Sequence, residues 1–377
     1  MKTVLVFCRF YLPGFKCGGP LRTIENVVDQ LKGQYSFKIV TSDHDLGETE
    51  KYKNILTDAW NNLNGHVIFY ISVWKLRKLR EIISESKCDY IYLNGLFDFQ
   101  STIKVLLLKR LRLITVPVIL ATRGELSPHA LKLRRFKKIL FLSIAKMAGL
   151  YKDVLFQASS EFEKKDITIV LGNNRNVRIA SDLPRKLSID TSPQRNKFIG
   201  NVKFVSVSRI VPVKNIHHSI SLLKDLEGQI EFDIYGPIED LTYWEKCKEE
   251  IKKIKNKRIA IAYKGTVKNE DVYDVLKKYH FLYFMTTTEN FGHIIYEALS
   301  MGCPTLISDR TPWQDLEEYK AGWVLPLDKQ EKIRKTLQQC IDMSETEYRN
   351  LSDAAFAYSK DFFDRTGVLA DNLNLFR

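Results

Sequence analysis

The feature that most constrains this chain is its alternation. Short runs of β-branched and aromatic residues recur along it, each followed by a segment of helical period, and that pattern belongs to parallel sheets covered by crossover helices. In the first half the expected strands are residues 4–7, 37–41, 66–70, 90–93, 118–121, 154–158 and 177–180; in the second they are 203–206, 231–234, 259–263, 281–284 and 305–307. The fold class is therefore α/β rather than all-β. Between the two sets, residues 181–200 carry Pro184, Ser188, Ser192 and Pro193 among scattered charges and no sustained apolar periodicity, as an interdomain linker does. A chain of 377 residues exceeds what one core usually organises. The expected division is 1–182, a linker over 183–199, and 200–354. A helical tail follows, whose Phe356, Tyr358, Phe362 and Phe363 need a surface to cover.

Charge narrows the partners. Lys plus Arg number 58 against 45 Asp plus Glu, a formal +13, which attracts nucleic acid, an anionic membrane face or a nucleotide. From 126 to 152 there are seven Lys or Arg and no acid, interleaved with Leu131, Leu133, Phe136, Ile139, Leu140 and Leu142. Such a basic amphipathic stretch suits an anionic bilayer face, although an ordinary solvated helix surface reads the same way. The apolar run at 4–8 is too short for a secretory signal, and no stretch reaches the ~20 residues of a membrane-spanning helix. The six cysteines form no CxxC and no zinc spacing with His, as expected of a reduced compartment.

Three local patterns carry candidate chemistry. Directly after the strand at 281–284 comes Thr286-Thr287-Thr288-Glu289-Asn290-Phe291-Gly292, leading into a helix whose apolar stripe is Phe291, Ile294, Ile295, Ala298 and Leu299. Glu297 lies off that stripe. Glu289 and Glu297, about 12 Å apart even on a continuous helix, suit two carboxylates that hold different hydroxyls of one extended ligand. The helix start would face an anionic centre between them. Surface carboxylates around a core helix are the alternative. The second pattern, Ser208-Arg209-Ile210-Val211-Pro212-Val213-Lys214, leaves the strand at 203–206 with two cations five residues apart, as a diphosphate at strand carboxyl ends requires; solvated loop cations are the alternative. The third is Cys17-Gly18-Gly19-Pro20 before a helix with Leu21, Ile24, Val28 and Leu31 on its apolar face. Adjacent glycines let a backbone approach a ligand, or simply make a turn.

Arg209 with Lys214, Gly236-Pro237, Gly265-Thr266-Val267, Glu289-Asn290-Phe291-Gly292, Glu297-Ala298, Gly302-Cys303-Pro304 and Ser308-Asp309 together resemble the C-terminal domain of the retaining, nucleotide-sugar-dependent glycosyltransferases of family 4. Tyr11-Leu12-Pro13-Gly14 with Gly18-Gly19-Pro20, Arg123-Gly124-Glu125-Leu126-Ser127-Pro128 and Thr311-Pro312-Trp313 resemble its bacterial O-antigen and surface-polysaccharide branch. The resemblance implies a GT-B fold: two Rossmann-like domains with parallel sheets facing a central cleft, the C-terminal helix at 355–377 joining the first. It implies an enzyme, a hexosyltransferase-type glycosyltransferase moving sugar from a nucleotide-sugar donor to a glycan or lipid-linked glycan acceptor, cytoplasmic and peripheral on the inner face of the cell membrane. By similarity Arg209, Lys214 and Glu289 are catalytic. Gly18, Gly19, Gly236, Gly265, Val267, Asn290, Phe291, Gly292 and Glu297 bind donor.

Where many relatives place a histidine after the strand at 118–121, this chain has Thr122-Arg123-Gly124. Arg123 is thereby a candidate contact to acceptor or phosphate, and His129, six residues on, does not inherit that role. Asp43-His44-Asp45 is formally a DxD tripeptide, but one tripeptide offers too few convergent ligands for a metal site. No metal and no cofactor are expected, the nucleotide sugar being a substrate. The rival reading is a basic nucleic-acid or membrane-surface binding protein without catalysis. The chain has no RNA-binding motif, so nucleic acid is not an expected partner.

Overall fold

The computed structural model describes residues 1–132, 134–186 and 190–377; Leu133 and Ser188, named above, lie outside the described residues. The chain divides into two units, Met1–Leu183 with Gly367–Arg377, and Pro184–Thr366.

The first unit holds strands β1 (Lys2–Phe7), β2 (Tyr35–Ser42), β3 (Trp60–Leu63), β4 (His66–Ile71), β5 (Tyr90–Asn94), β6 (Val118–Ala121), β7 (Val154–Ala158) and β8 (Asn176–Ile179), in the order β3-β4-β2-β1-β5-β6-β7-β8. Its crossover helices are α1 (Gly19–Leu31), α2 (Leu76–Ser86), α3 (Lys104–Arg110), α4 (Pro128–Lys132), α5 (Arg135–Met147) and α6 (Glu161–Leu171). The central strands are continuous apolar runs because helices cover both faces; Val4, Leu5, Val6 and Phe7 have no exposure at all. On α1 the expected face of Leu21, Ile24, Val28 and Leu31 is the buried one.

Two strands escape the sequence pattern. Trp60-Asn61-Asn62-Leu63 shows no apolar alternation, yet β3 pairs antiparallel with β4 from Leu63↔His66 to Trp60↔Phe69. Its signal was the turn: Asn64 and Gly65 both take positive φ, 53° and 84°, as an Asn-Gly hairpin demands. The other is a short strand at the sheet edge of the second unit, β14 below.

The second unit contains β9 (Asn201–Val207), β10 (Gln229–Tyr235), β11 (Ile259–Tyr263), β12 (Phe281–Phe284), β13 (Thr305–Ser308) and β14 (Gly322–Leu325). They run parallel in the order β11-β10-β9-β12-β13-β14, the doubly wound order of a Rossmann sheet. Helices α7 (Ile216–Leu223), α8 (Leu241–Lys253), α9 (Val272–Leu276) and α10 (His293–Ser300) connect them, and α11 (Gln330–Asp342) follows β14. In such sheets ligands bind beyond the strand carboxyl ends where the order reverses. That point lies between β1 and β5 in the first unit and between β9 and β12 in the second.

The C-terminal segment corrects an expectation. Residues 355–377 were expected with the first domain, but α12 (Glu345–Lys360) and α13 (Phe362–Thr366) belong to the second unit. Aromatic packing decides it: Phe362 stacks on Trp313 with centroids 5.1 Å apart, and the Tyr358 hydroxyl donates to Asp315 at 2.6 Å. Gly367, at φ 64°, turns the chain, and α14 (Val368–Asn374) brings fully buried Phe376 against Tyr35, Phe37 and Tyr92.

The expected linker is likewise partly structured. Arg195 donates to the carbonyls of Leu276 and Lys277 at the end of α9 and of Met301 and Gly302 beyond α10, at 2.6 to 3.3 Å. The ammonium of Lys197, 1% exposed, donates to Phe198, Ile341 and Met343 carbonyls. Each cation satisfies helix-end carbonyls that lack an intrahelical partner.

Candidate functional site

At the β9/β12 reversal point, three loops are laced together. The Thr286 hydroxyl and the Thr287 amide both donate to the Val213 carbonyl, at 2.9 and 2.8 Å. This ties the loop after β9 to the loop after β12. The Ser308 hydroxyl donates to the Thr286 carbonyl at 2.6 Å, and the Glu289 amide to the Arg310 carbonyl at 3.0 Å, which adds the loop after β13. The frame brings Lys214 and Glu289 together: Nζ donates to Oε2 at 2.5 Å, with the side chains 13% and 16% exposed. Lys214 also sits 5.0 Å from the centroid of the Phe284 ring, a favourable cation–π placement.

Helix α10 starts directly beyond this pair. Gly292 caps it at φ 84°, and a Cβ there would meet Ile295 Cδ1 at 2.9 Å and Glu289 Cγ at 3.1 Å. Glycine is thus required both by the left-handed backbone and by the closeness of the catalytic candidate. Phe291 turns its ring inward among Trp313, His293 and Phe362, and its carbonyl accepts from Trp313 Nε1 at 2.5 Å. Phe291 therefore anchors the loop through its side chain. Glu297, off the apolar stripe in sequence, is nonetheless only 6% exposed, because every residue of α10 from Ile294 to Ser300 is buried. A carboxylate taken into such a helix is costly without polar company, which separates it from a solvated surface group.

The loops after β9, β10 and β11 interlock beside the pair. Gly236 has φ 135°, and a Cβ would lie 1.8 Å from the Ser208 carbonyl oxygen. The Gly236 amide donates to the Gly265 carbonyl at 2.9 Å, and Tyr263 donates to the Gly236 carbonyl at 2.8 Å. Val267 is half-buried on the same loop as Gly265. Arg209 pairs with Glu239, Nη1 to Oε2 at 2.9 Å; Glu239 was not singled out in the sequence.

The remaining candidates lie on the first unit. Gly18 caps α1 at φ 63°, and a Cβ at Gly18 or Gly19 would meet nothing within 4 Å. Arg123 is committed elsewhere. At φ 52° it leaves β6 with a side chain 9% exposed. It pairs with Asp182 at 2.5 Å, donates to the Tyr92 hydroxyl at 2.7 Å and reaches Asn94 Oδ1 at 2.6 Å. The Tyr92 hydroxyl donates on to Gln157 and Thr23 reaches Asp182, so Arg123 holds the ends of β5 to β8 to α1. His129 is exposed on α4. The DxD tripeptide serves its loop: Asp45 accepts from the Phe15 and Lys16 amides at 3.0 and 3.3 Å, and Asp43 pairs with Lys51 at 3.0 Å.

Known proteins share this architecture. A sucrose-phosphate synthase from Thermosynechococcus elongatus superposes with a TM-score of 0.72 at 12% identity, covering 100% of this chain and 98% of that one. Anabaena HepE in complex with UDP-glucose does so with a TM-score of 0.70 at 16% identity, over 100% and 99%. WaaG, a glycosyltransferase involved in lipopolysaccharide biosynthesis, gives 0.65 at 11%, over 99% and 98%. The fold is GT-B. An uncharacterized glycosyltransferase of Methanocaldococcus jannaschii is 23% identical over 344 residues, 85% of this chain and 87% of the relative. Residues 189–357 match the family model described as glycosyl transferases group 1. The match to glycosyl transferases group 1 falls within the second unit, Pro184–Thr366.

Proposed function

We propose that this protein is a retaining, metal-independent glycosyltransferase of family 4. On this reading it moves a hexosyl-type unit from a nucleotide sugar to a lipid-linked glycan acceptor in bacterial surface-polysaccharide synthesis, at the cytoplasmic membrane face. The observation that carries the reading is the Lys214–Glu289 pair at the β9/β12 reversal point, directly before the α10 N-terminus. Lys214 and Arg209 hold the donor diphosphate, Glu289 and the backbone of Asn290 to Gly292 hold the transferred sugar, and Glu297 holds the ribose. The loops of Gly236 and Gly265 to Val267 flank the base. Departure of a nucleoside diphosphate develops negative charge, which fixed cations and the first amides of a helix stabilise more in the transition state than in the ground state. One such donor contributes about 3 kcal/mol. The sugar becomes oxocarbenium-like. Retention fits front-face attack, the leaving phosphate accepting the proton of the acceptor hydroxyl, with no protein nucleophile. With two side-chain cations on the diphosphate, no metal role is required.

Helix α5 supports the membrane half of the reading. Phe136, Leu140, Ile144 and Met147, spaced along one face, are 90%, 62%, 53% and 84% exposed, flanked by Arg134, Arg135, Lys137 and Lys146. An apolar row within cations is what an interfacial helix offers an anionic bilayer. The structures similar to this chain include one holding UDP-glucose and one from lipopolysaccharide biosynthesis, which favours a UDP-sugar and a surface glycan. Thermal-shift measurement with UDP, GDP, ADP and their glucose esters tests the enzyme: stabilisation by one nucleotide and its ester is expected. Salt-dependent retention on RNA with no nucleotide response would instead favour a binding protein without catalysis.

A further inference from the structure

Arg209 and Glu239 stand on the loops after the neighbouring strands β9 and β10, and their contact at 2.9 Å is half open to solvent, the side chains 53% and 35% exposed. The loops that bear them cannot slide apart. The Ile210 amide donates to the Pro237 carbonyl at 2.8 Å, Ile210 bridges Ile238, and Gly236 rests on the Ser208 carbonyl. Glu239 is therefore a fixed negative charge beside a cation that the proposed function assigns to the diphosphate.

We infer that Glu239 discriminates between donor and product, weakening the hold on free nucleoside diphosphate more than on the nucleotide sugar and so favouring product release. The inference rests on the proposed function. In a nucleotide sugar both phosphates are esterified and carry about one negative charge each. In the free diphosphate the terminal phosphate gains a second ionisation near pH ~6, adding about one charge at pH 8. Glu239 competes for the Arg209 guanidinium with either ligand, but it repels the additional charge only in the product. At the separations a shared guanidinium allows, in a partly solvated site, like charges alter affinity by about three- to tenfold.

The test is calorimetry at pH 8 on the full chain, with UDP, GDP, ADP and their glucose esters, followed by Glu239→Gln with the pair that binds. The expected result is about three- to tenfold tighter binding of the diphosphate and less than about twofold for its ester, with the difference shrinking at pH 5.5. Equal gains for both ligands, no gain, or a loss of affinity overturns the inference while the wild-type binding leaves the proposed function standing. Absence of binding by all six ligands to the wild type overturns both.

Discussion

The ammonium of Lys214 meets the carboxylate of Glu289 at 2.5 Å across 75 residues of sequence, joining the two loops between which the second sheet reverses its strand order. Replacing either end has different structural costs. Lys214→Met strands a mostly buried carboxylate and lowers unfolding free energy by about 3 kcal/mol, whereas Glu289→Gln leaves Lys214 an acceptor and costs less. Both lower transfer by about 100-fold or more. Initial rates and urea titrations read the two effects, and wild-type transfer in either variant would remove the site.

The glycines make a contrasting pair. Gly236→Ala forces a Cβ onto the Ser208 carbonyl oxygen, 1.8 Å away, at a φ that alanine resists. It should unfold at markedly lower urea and lose nucleotide binding. Gly19→Ala meets nothing within 4 Å and should retain the wild-type midpoint. A loss of donor affinity in Gly19→Ala, without loss of stability, is the signature of a ligand close to that backbone.

Arg123→Gln leaves Asp182, 4% exposed, without its charge partner. Stability should fall by about 3 kcal/mol. Unchanged stability with weakened acceptor or donor binding would instead make Arg123 a ligand contact.

Acid should loosen the second unit through His280. Its Nδ1 accepts from the Lys203 amide and its Nε2 donates to the Asn196 carbonyl, both at 3.0 Å, and burial lowers its pKa to about 4. The unfolded imidazole titrates near ~6.5, so between those values the unfolded chain binds a proton that the folded chain refuses. Stability present above pH ~6.5 is therefore lost as pH falls toward 4. His280→Gln should flatten the urea midpoint over that window, and an unchanged slope would exclude His280 as its source.

On α5, Phe136→Glu with Met147→Glu should abolish co-sedimentation with vesicles of 30% phosphatidylglycerol in phosphatidylcholine while nucleotide affinity stays at the wild-type value. Vesicle binding that survives both changes would sink the membrane assignment.

What the sequence made legible follows from how each feature is encoded. Strands such as β6 and β12 are uninterrupted apolar runs and were readable to the residue, because burial on both faces leaves no other composition. Weak edge strands such as β14, whose middle residues are only half-buried, carry no such mark. Arg209, Lys214 and Glu289 were visible as residue types at strand ends. Their partners were not: which carboxylate a cation meets depends on loop geometry, and Glu239 stands 30 residues from Arg209. Asp182 carries no local mark in the sequence, and its pairing with Arg123 needed the packing of β5 to β8.

The anchoring of Arg195 and Lys197 bears on how the second unit could live alone. A fragment begun at Gly200, where the sequence places the domain, would shed both cations and with them the hydrogen bonds they donate to carbonyls at the ends of α9, α10 and α11. One of those helices carries Glu297, so the damage would reach the donor site with every ligand residue proposed on the second unit intact. An independent second unit must start upstream of Arg195, and the apparent connector is as much its N-terminal brace as a tether.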